Sequence, residues 1–187
     1  MKKIILFIYL FLNLNFQALS KEPILQELIK GLDSPWSLSF INDNLVIVTE
    51  KSGNLILVNF NNKNVKKIKH NLNILEDGQG GLLEVLYFKD QILVSYSENL
   101  EKGYSSTSVA SAKFNEKVLN FKNIFRAEPP INSGYHFGSR LVIKDDLLYV
   151  TVGERGRGMI AQDPTKHPGS IIRIHLDGKI PKDNPKF

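Results

Sequence analysis

A histidine set between glycines is the clearest candidate for proton-transfer chemistry in this chain. The stretch Ser133-Gly134-Tyr135-His136-Phe137-Gly138-Ser139-Arg140 puts His136 beside aromatic residues at the start of an apolar run. A free imidazole titrates near ~6.5, which suits a general base around neutral pH. A packed or solvated histidine fits the same position, and spacing alone does not separate the two. His70, His167 and His175 stand at no spacing that would complete a metal site with it. A second loop, Asp77-Gly78-Gln79-Gly80-Gly81, precedes another apolar run. Its glycines permit positive φ and close backbone approach, and Gln79 carries a carboxamide that both donates and accepts. A tight turn with an exposed glutamine is the plainer reading of it.

The third loop is Gly153-Glu154-Arg155-Gly156-Arg157-Gly158, followed by Ala161-Gln162-Asp163. It suggests a phosphate cradle only superficially. The spacing is not GxGxxG and no helical pattern follows, so a dinucleotide fold is excluded. No GxSxG elbow exists, which removes an α/β-hydrolase. The chain has no cysteine, so disulfide frameworks, cysteine zinc sites, iron–sulfur clusters and thiol nucleophiles are excluded together.

The elements that must hold these loops read as strands. Ser37 to Ile41, Leu45 to Thr49 and Asn54 to Phe60 are short and rich in β-branched or aromatic residues, with polar or glycine turns between them. Val65 to Lys69, Leu82 to Phe88, Ile92 to Tyr96 and Thr107 to Phe114 continue the series. Leu141 to Ile143, Leu147 to Val152 and Ser170 to His175 close it. Residues 22–30 read as a short helix or a strand. One apolar–turn–apolar unit recurs, starting near residues 36, 82 and 140, a spacing of ~45–60 residues. That spacing points to blades of a β-propeller; a β-sandwich is the alternative. A closed propeller needs typically 4–8 blades, and at ~45 residues each this chain supplies about three to four. The sequence is therefore expected to be the N-terminal part of a longer protein.

Hydrophobic residues make up 42% of the 187 residues and charged residues 23%, which excludes wholesale disorder. Met1-Lys2-Lys3, the apolar run from Ile4 to Phe16 and the small residues of Ala18-Leu19-Ser20 have the three regions of a secretory signal peptide. The expected domains are a signal peptide over 1–20, cleaved after Ser20, and a mature chain over 21–187. The mature chain is expected to be periplasmic or secreted in a bacterium, with no stable membrane anchor. Without residues 1–20 it has 22 basic against 19 acidic residues, a net charge of +3. That charge is small and scattered, so nucleic acid is not an expected partner.

The three loops, taken with their neighbours, resemble the soluble quinoprotein sugar dehydrogenases, the glucose/sorbosone dehydrogenase family. The matching stretches are Gly31-Leu-Asp-Ser-Pro-Trp36, Val48-Thr-Glu50 with Gly53, Gly78-Gln-Gly-Gly-Leu-Leu83 and His136-Phe-Gly-Ser-Arg-Leu141. Val152-Gly-Glu-Arg155 with Ala161-Gln-Asp163 follows, then Gly169, Arg173 and Asp177-Gly-Lys-Ile-Pro-Lys-Asp-Asn-Pro185. They run in family order over nearly all of residues 31–187.

The resemblance implies an all-β, six-bladed propeller, part of it present here, with pyrroloquinoline quinone (PQQ) at the axial end of the strands and calcium beside the quinone. It implies oxidation of an aldose at its anomeric carbon to a lactone, with electrons leaving to an external acceptor. His136 would take the proton of the anomeric hydroxyl, and Gln79 would lie near cofactor and sugar. Some family members carry Asp before the histidine; this chain has Tyr135. The family's calcium loop and its cofactor-clamping Lys and Arg residues lie beyond the equivalent of Phe187. No metal ligand is therefore assigned among the residues present. Arg140 is read as a structural salt bridge or loop anchor. A noncatalytic secreted propeller, or an inactive truncated fragment, is the alternative function.

Overall fold

The computed structural model describes residues 23–185, so the expected signal peptide over 1–20 lies outside the described residues. Three sheets follow one another along the chain. The first holds β1 (Pro35–Asn42), β2 (Leu45–Glu50), β3 (Leu55–Asn59) and β4 (Asn64–His70) in sequential antiparallel order. The second holds β5 (Leu82–Phe88), β6 (Gln91–Asn99) and β7 (Ser105–Lys113). Two short strands come next. The two-residue β8 (Val118–Leu119) returns to pair in parallel with β4, and β9 (Lys122–Arg126) completes the second sheet against β7. The third sheet is β10 (Gly138–Lys144), β11 (Leu147–Val152) and β12 (Ile171–His175). These are three blades of a β-propeller, and their first strands begin at Pro35, Leu82 and Gly138, as the repeat in the sequence predicts.

Turn chemistry explains the recurrence. The hairpins β5–β6 and β10–β11 close with two-residue turns, Lys89-Asp90 and Asp145-Asp146, in which both residues have positive φ. That is the mirror-image turn whose twist matches paired strands. In the first blade the Asn42 side chain accepts the Asn44 N–H at 3.0 Å and closes the equivalent corner.

The core lies between blades. Ile47, Leu55 and Leu57 of the first sheet pack on Ile92, Val94 and Ala110 of the second. Leu93 and Val109 project from the opposite face of the second sheet onto Leu141, Leu148 and Val150 of the third. The second sheet is covered on both faces, so β6 is buried continuously from Ile92 to Glu98 rather than on alternate residues. Residues 23–30 form neither helix nor strand. Ile29 and Leu32 lie instead over Val46, Val48, Ile56 and Val58 on the outer face of the first blade.

The inner strands β1, β5 and β10 lie side by side, and an inner strand has only one paired edge. Hydroxyls of the neighbouring blade satisfy the other edge. Ser39 Oγ accepts the Tyr87 N–H at 2.9 Å, Thr49 Oγ1 donates to Leu83 O at 2.5 Å, and Ser95 Oγ donates to Ser139 O at 2.6 Å. Buried backbone groups need such partners, which accounts for serine and threonine inside the core. Glu84 adds an ionic stitch, accepting from Ser37 Oγ at 3.2 Å and from Arg140. Arg140 thus anchors β10 to β5, the structural part expected of it.

A second polar cluster holds the far side of the middle blade. Glu98 on β6 accepts from Arg126 Nε at 2.7 Å, Ser108 Oγ at 2.6 Å and Asn123 Nδ2 at 3.1 Å. Burial alone would raise the Glu98 carboxyl; the hydrogen bonds and the Arg126 charge outweigh it and hold it below its ordinary range. A carboxyl depressed on folding contributes stability above its unfolded value, and that contribution disappears as pH falls through the folded one. Glu98→Gln is expected to cost about 2 kcal/mol at pH 7, between the values for exposed and buried pairs. Thermal melts from pH 7 down to about pH 3 should show wild type and variant converging as acid removes the pair. Parallel curves would refute this account.

Candidate active site

Three loops meet at one end of the blades: the β4–β5 loop with Gln79, the β9–β10 loop with His136, and the start of the β11–β12 loop with Glu154. Gln79 N–H donates to Gly134 O at 2.7 Å, and His136 N–H donates to Gln79 Oε1 at 2.9 Å. The two residues singled out from sequence are therefore in direct contact across 57 positions. The contact demands small residues. A Cβ on Gly78, which has φ +54°, would sit 2.5 Å from Gly134 O. Lys51 reaches over from the β2–β3 turn and donates to Gly78 O at 2.5 Å.

His136 has φ +48°, a left-handed backbone that costs a non-glycine residue free energy. The imidazole is half-exposed, and its Nδ1 pairs with Glu154 Oε1. Glu154 Oε1 also accepts the Gly156 N–H at 3.1 Å. The hydrogen bond from the His136 ring is the main reason the Glu154 carboxyl lies below its ordinary range. An ionised carboxylate only accepts, so Nδ1 carries the hydrogen, and in the neutral tautomer that this leaves Nε2 has the lone pair. Nε2 makes no hydrogen bond among the described residues, nor does the Gln79 side-chain amide nitrogen. A proton acceptor and an amide donor therefore stand together on an accessible surface.

The glucose/sorbosone dehydrogenase family model matches residues 32–187, which include all three loops. The chain belongs to this family. Among curated relatives, aldose sugar dehydrogenase YliI of Escherichia coli is 34% identical over 164 residues, covering 82% of this chain and 44% of that protein. Quinoprotein glucose dehydrogenase B of Acinetobacter calcoaceticus is 28% identical over 200 residues, covering 86% and 41%. The apo-form structure of the soluble aldose sugar dehydrogenase of Escherichia coli superposes with a TM-score of 0.81 at 32% identity, over 86% of this chain and 49% of that one. The chain spans about half the length of the curated relatives it matches.

Within this glucose/sorbosone dehydrogenase chain, two more motif residues have structural parts. Arg173 pairs with Asp183 at 2.9 Å, and Asn184 Nδ2 donates to Arg173 O at 2.9 Å, tying the last turn to β12. Arg155 is 2% exposed and lies under the His136 loop. Sequence reasoning left Glu154 and Arg155 without roles. The glycines around them pointed to a turn, but not to which side chain the turn aims at the imidazole. A groove of about 700 Å³ between Ile124, Phe125, His167, Ile171 and Ile180 lies away from His136. Among the described residues, no group of three or more acidic or histidine side chains converges as a metal site. The groups present suit one wall of a site for a ligand that offers a hydroxyl to Nε2 and an oxygen to the Gln79 amide.

Proposed function

We propose that this chain is the first half of an exported, PQQ-dependent aldose dehydrogenase completed by residues beyond Phe187. The observation that carries the reading is the contact set Glu154–His136–Gln79. Oxidation of an aldose at its anomeric carbon removes the hydroxyl proton and the C1 hydrogen with its electron pair, leaving a lactone carbonyl. His136 Nε2 takes the hydroxyl proton, and Glu154 stabilises the imidazolium that forms. The Gln79 amide orients an oxygen of the sugar or the cofactor. PQQ, when bound, supplies the two-electron acceptor for the C1 hydride, and an external acceptor reoxidises it. The quinoprotein among the relatives supports this choice of cofactor. Calcium belongs to the same proposal, with ligands from the second half.

The test starts with the reading frame past the codon for Phe187. Continuation for roughly another 150–200 codons of blade pattern is expected. The full-length protein with PQQ and calcium should then reduce a dye in the presence of an aldose. A complete frame whose product, loaded with PQQ, oxidises no aldose would leave a binding propeller. Glu154→Gln is expected to lower kcat roughly 10–100-fold, because an amide can turn its NH2 toward Nδ1 and misorient the ring. Stopped-flow or steady-state turnover checks it, and an unchanged kcat would remove Glu154 from the mechanism.

A further inference from the structure

We infer that Arg155 is the positioning residue that fixes His136 in its reactive place; this rests on the reading of His136 as the base. Its guanidinium is buried beneath the loop that carries the histidine. Nε donates to Tyr135 O at 3.0 Å, and Nη2 donates to Ser133 O, so both bonds go to backbone within three residues of His136 on its N-terminal side. Nη1 donates to Ser105 O at 3.1 Å and Nη2 to Ser105 Oγ at 2.9 Å, which ties that loop to the first residue of β7. The guanidinium carbon lies 3.6 Å from the centroid of the ring of Phe137, the residue after His136. The Arg155 N–H points at His136 O, at 3.4 Å. Backbone before and at the histidine, and the ring of the residue after it, are thus all contacted by one residue.

The chain direction makes this possible. Arg155 has φ +58° and Gly156 φ +70°, a left-handed pair that sends neighbouring side chains apart. Glu154 rises to the imidazole while Arg155 turns under the loop. One turn therefore sets both the ring and the backbone of the base.

The donor pattern argues against a simple ion pair. No acidic side chain pairs with Arg155 among the described residues, and Asp77 acts on it only through space. Burial pulls the guanidinium down to about 10, still protonated at neutral pH. A buried cation held by carbonyls and a hydroxyl, without a counter-charge, is an expensive way to fill a core. Its planar fork does what no apolar side chain and no lysine can do, which is to hold several carbonyls at fixed angles.

The test uses Arg155→Lys, which keeps the charge and loses the fork, and Arg155→Gln as a second variant. Amide hydrogen exchange of the full chain is read at Gln79, His136 and Gly153, whose N–H groups are held by the loop, and at Val94 and Ser95 as references. Protection at the first three is expected to fall about 10-fold or more while the references hold. In the active full-length enzyme, kcat should fall roughly 10–100-fold with KM within about twofold. Protection lost everywhere in step, failure of both variants to fold, or no change at the three amides would each overturn the inference. If the wild-type protein oxidises no aldose, the proposed function fails, while the exchange result still judges Arg155 by itself.

Discussion

On the proposed aldose dehydrogenase reading, replacing His136 with asparagine in the full-length protein is expected to lower aldose-dependent dye reduction by ~10²–10⁴-fold, the usual range for losing a general base. Asparagine is the better choice over alanine because position 136 has φ +48°, where asparagine is tolerated and alanine is strained. The backbone N–H that donates to Gln79 remains in the variant, so the loops should stay joined. The side chain is half-exposed, so little core packing is lost and the melting temperature should hold. The loss should therefore fall on kcat, with KM for the sugar changed far less. A variant that keeps more than about a tenth of wild-type turnover would show that the proton leaves by another route.

Much of this arrangement was legible before any coordinates, and the limits have physical causes. The inner strands announced themselves because each begins an apolar run closed by a two-residue turn, at Lys89-Asp90 and Asp145-Asp146 in two of the blades. The outer strand β9 did not, since Lys-Asn-Ile-Phe-Arg is polar at both ends and faces solvent along most of its length. The two-residue β8 exists only because β4 offers it an edge. Residues 23–30 carry an apolar pattern suited to helix or strand. What they do instead is lay Ile29 on the first blade, a tertiary contact that local pattern does not encode.

The same division holds at the site. His136 and Gln79 stood out because glycines bracket them. Their direct contact depends on the crossing of Gly78 over Gly134, a long-range event. Glu154 lies 18 positions from His136, on a loop whose charges suggested phosphate chemistry more readily than an imidazole partner. Glycine runs mark where backbone must come close. Which side chains that closeness serves is decided by the partner loop, and a single sequence is silent about it.

The close approach makes Gly153→Ala the most disruptive small substitution we expect in the described residues. A Cβ there would lie 1.8 Å from His136 O and 2.5 Å from His136 C, and the obstacle is backbone rather than a side chain that could swing away. The Gly153 N–H also donates to Phe137 O at 3.1 Å, so the two segments cannot part without losing that bond. Overpacking of this kind costs roughly 3 kcal/mol or more. In the full-length protein, about twice this size, that lowers the melting temperature by a few degrees. The displaced residue is His136 itself. A shift of about 1 Å at a reacting group costs on the order of 10²-fold in rate, so turnover should fall along with stability. Gly158→Ala, five positions on, is the control, because its Cβ would meet nothing within 4 Å. Melting and turnover unchanged in Gly158→Ala and both depressed in Gly153→Ala would tie the glycine to the placement of the base. A Gly153→Ala protein that melts like wild type would mean that the two segments do not cross as closely as the structure has them.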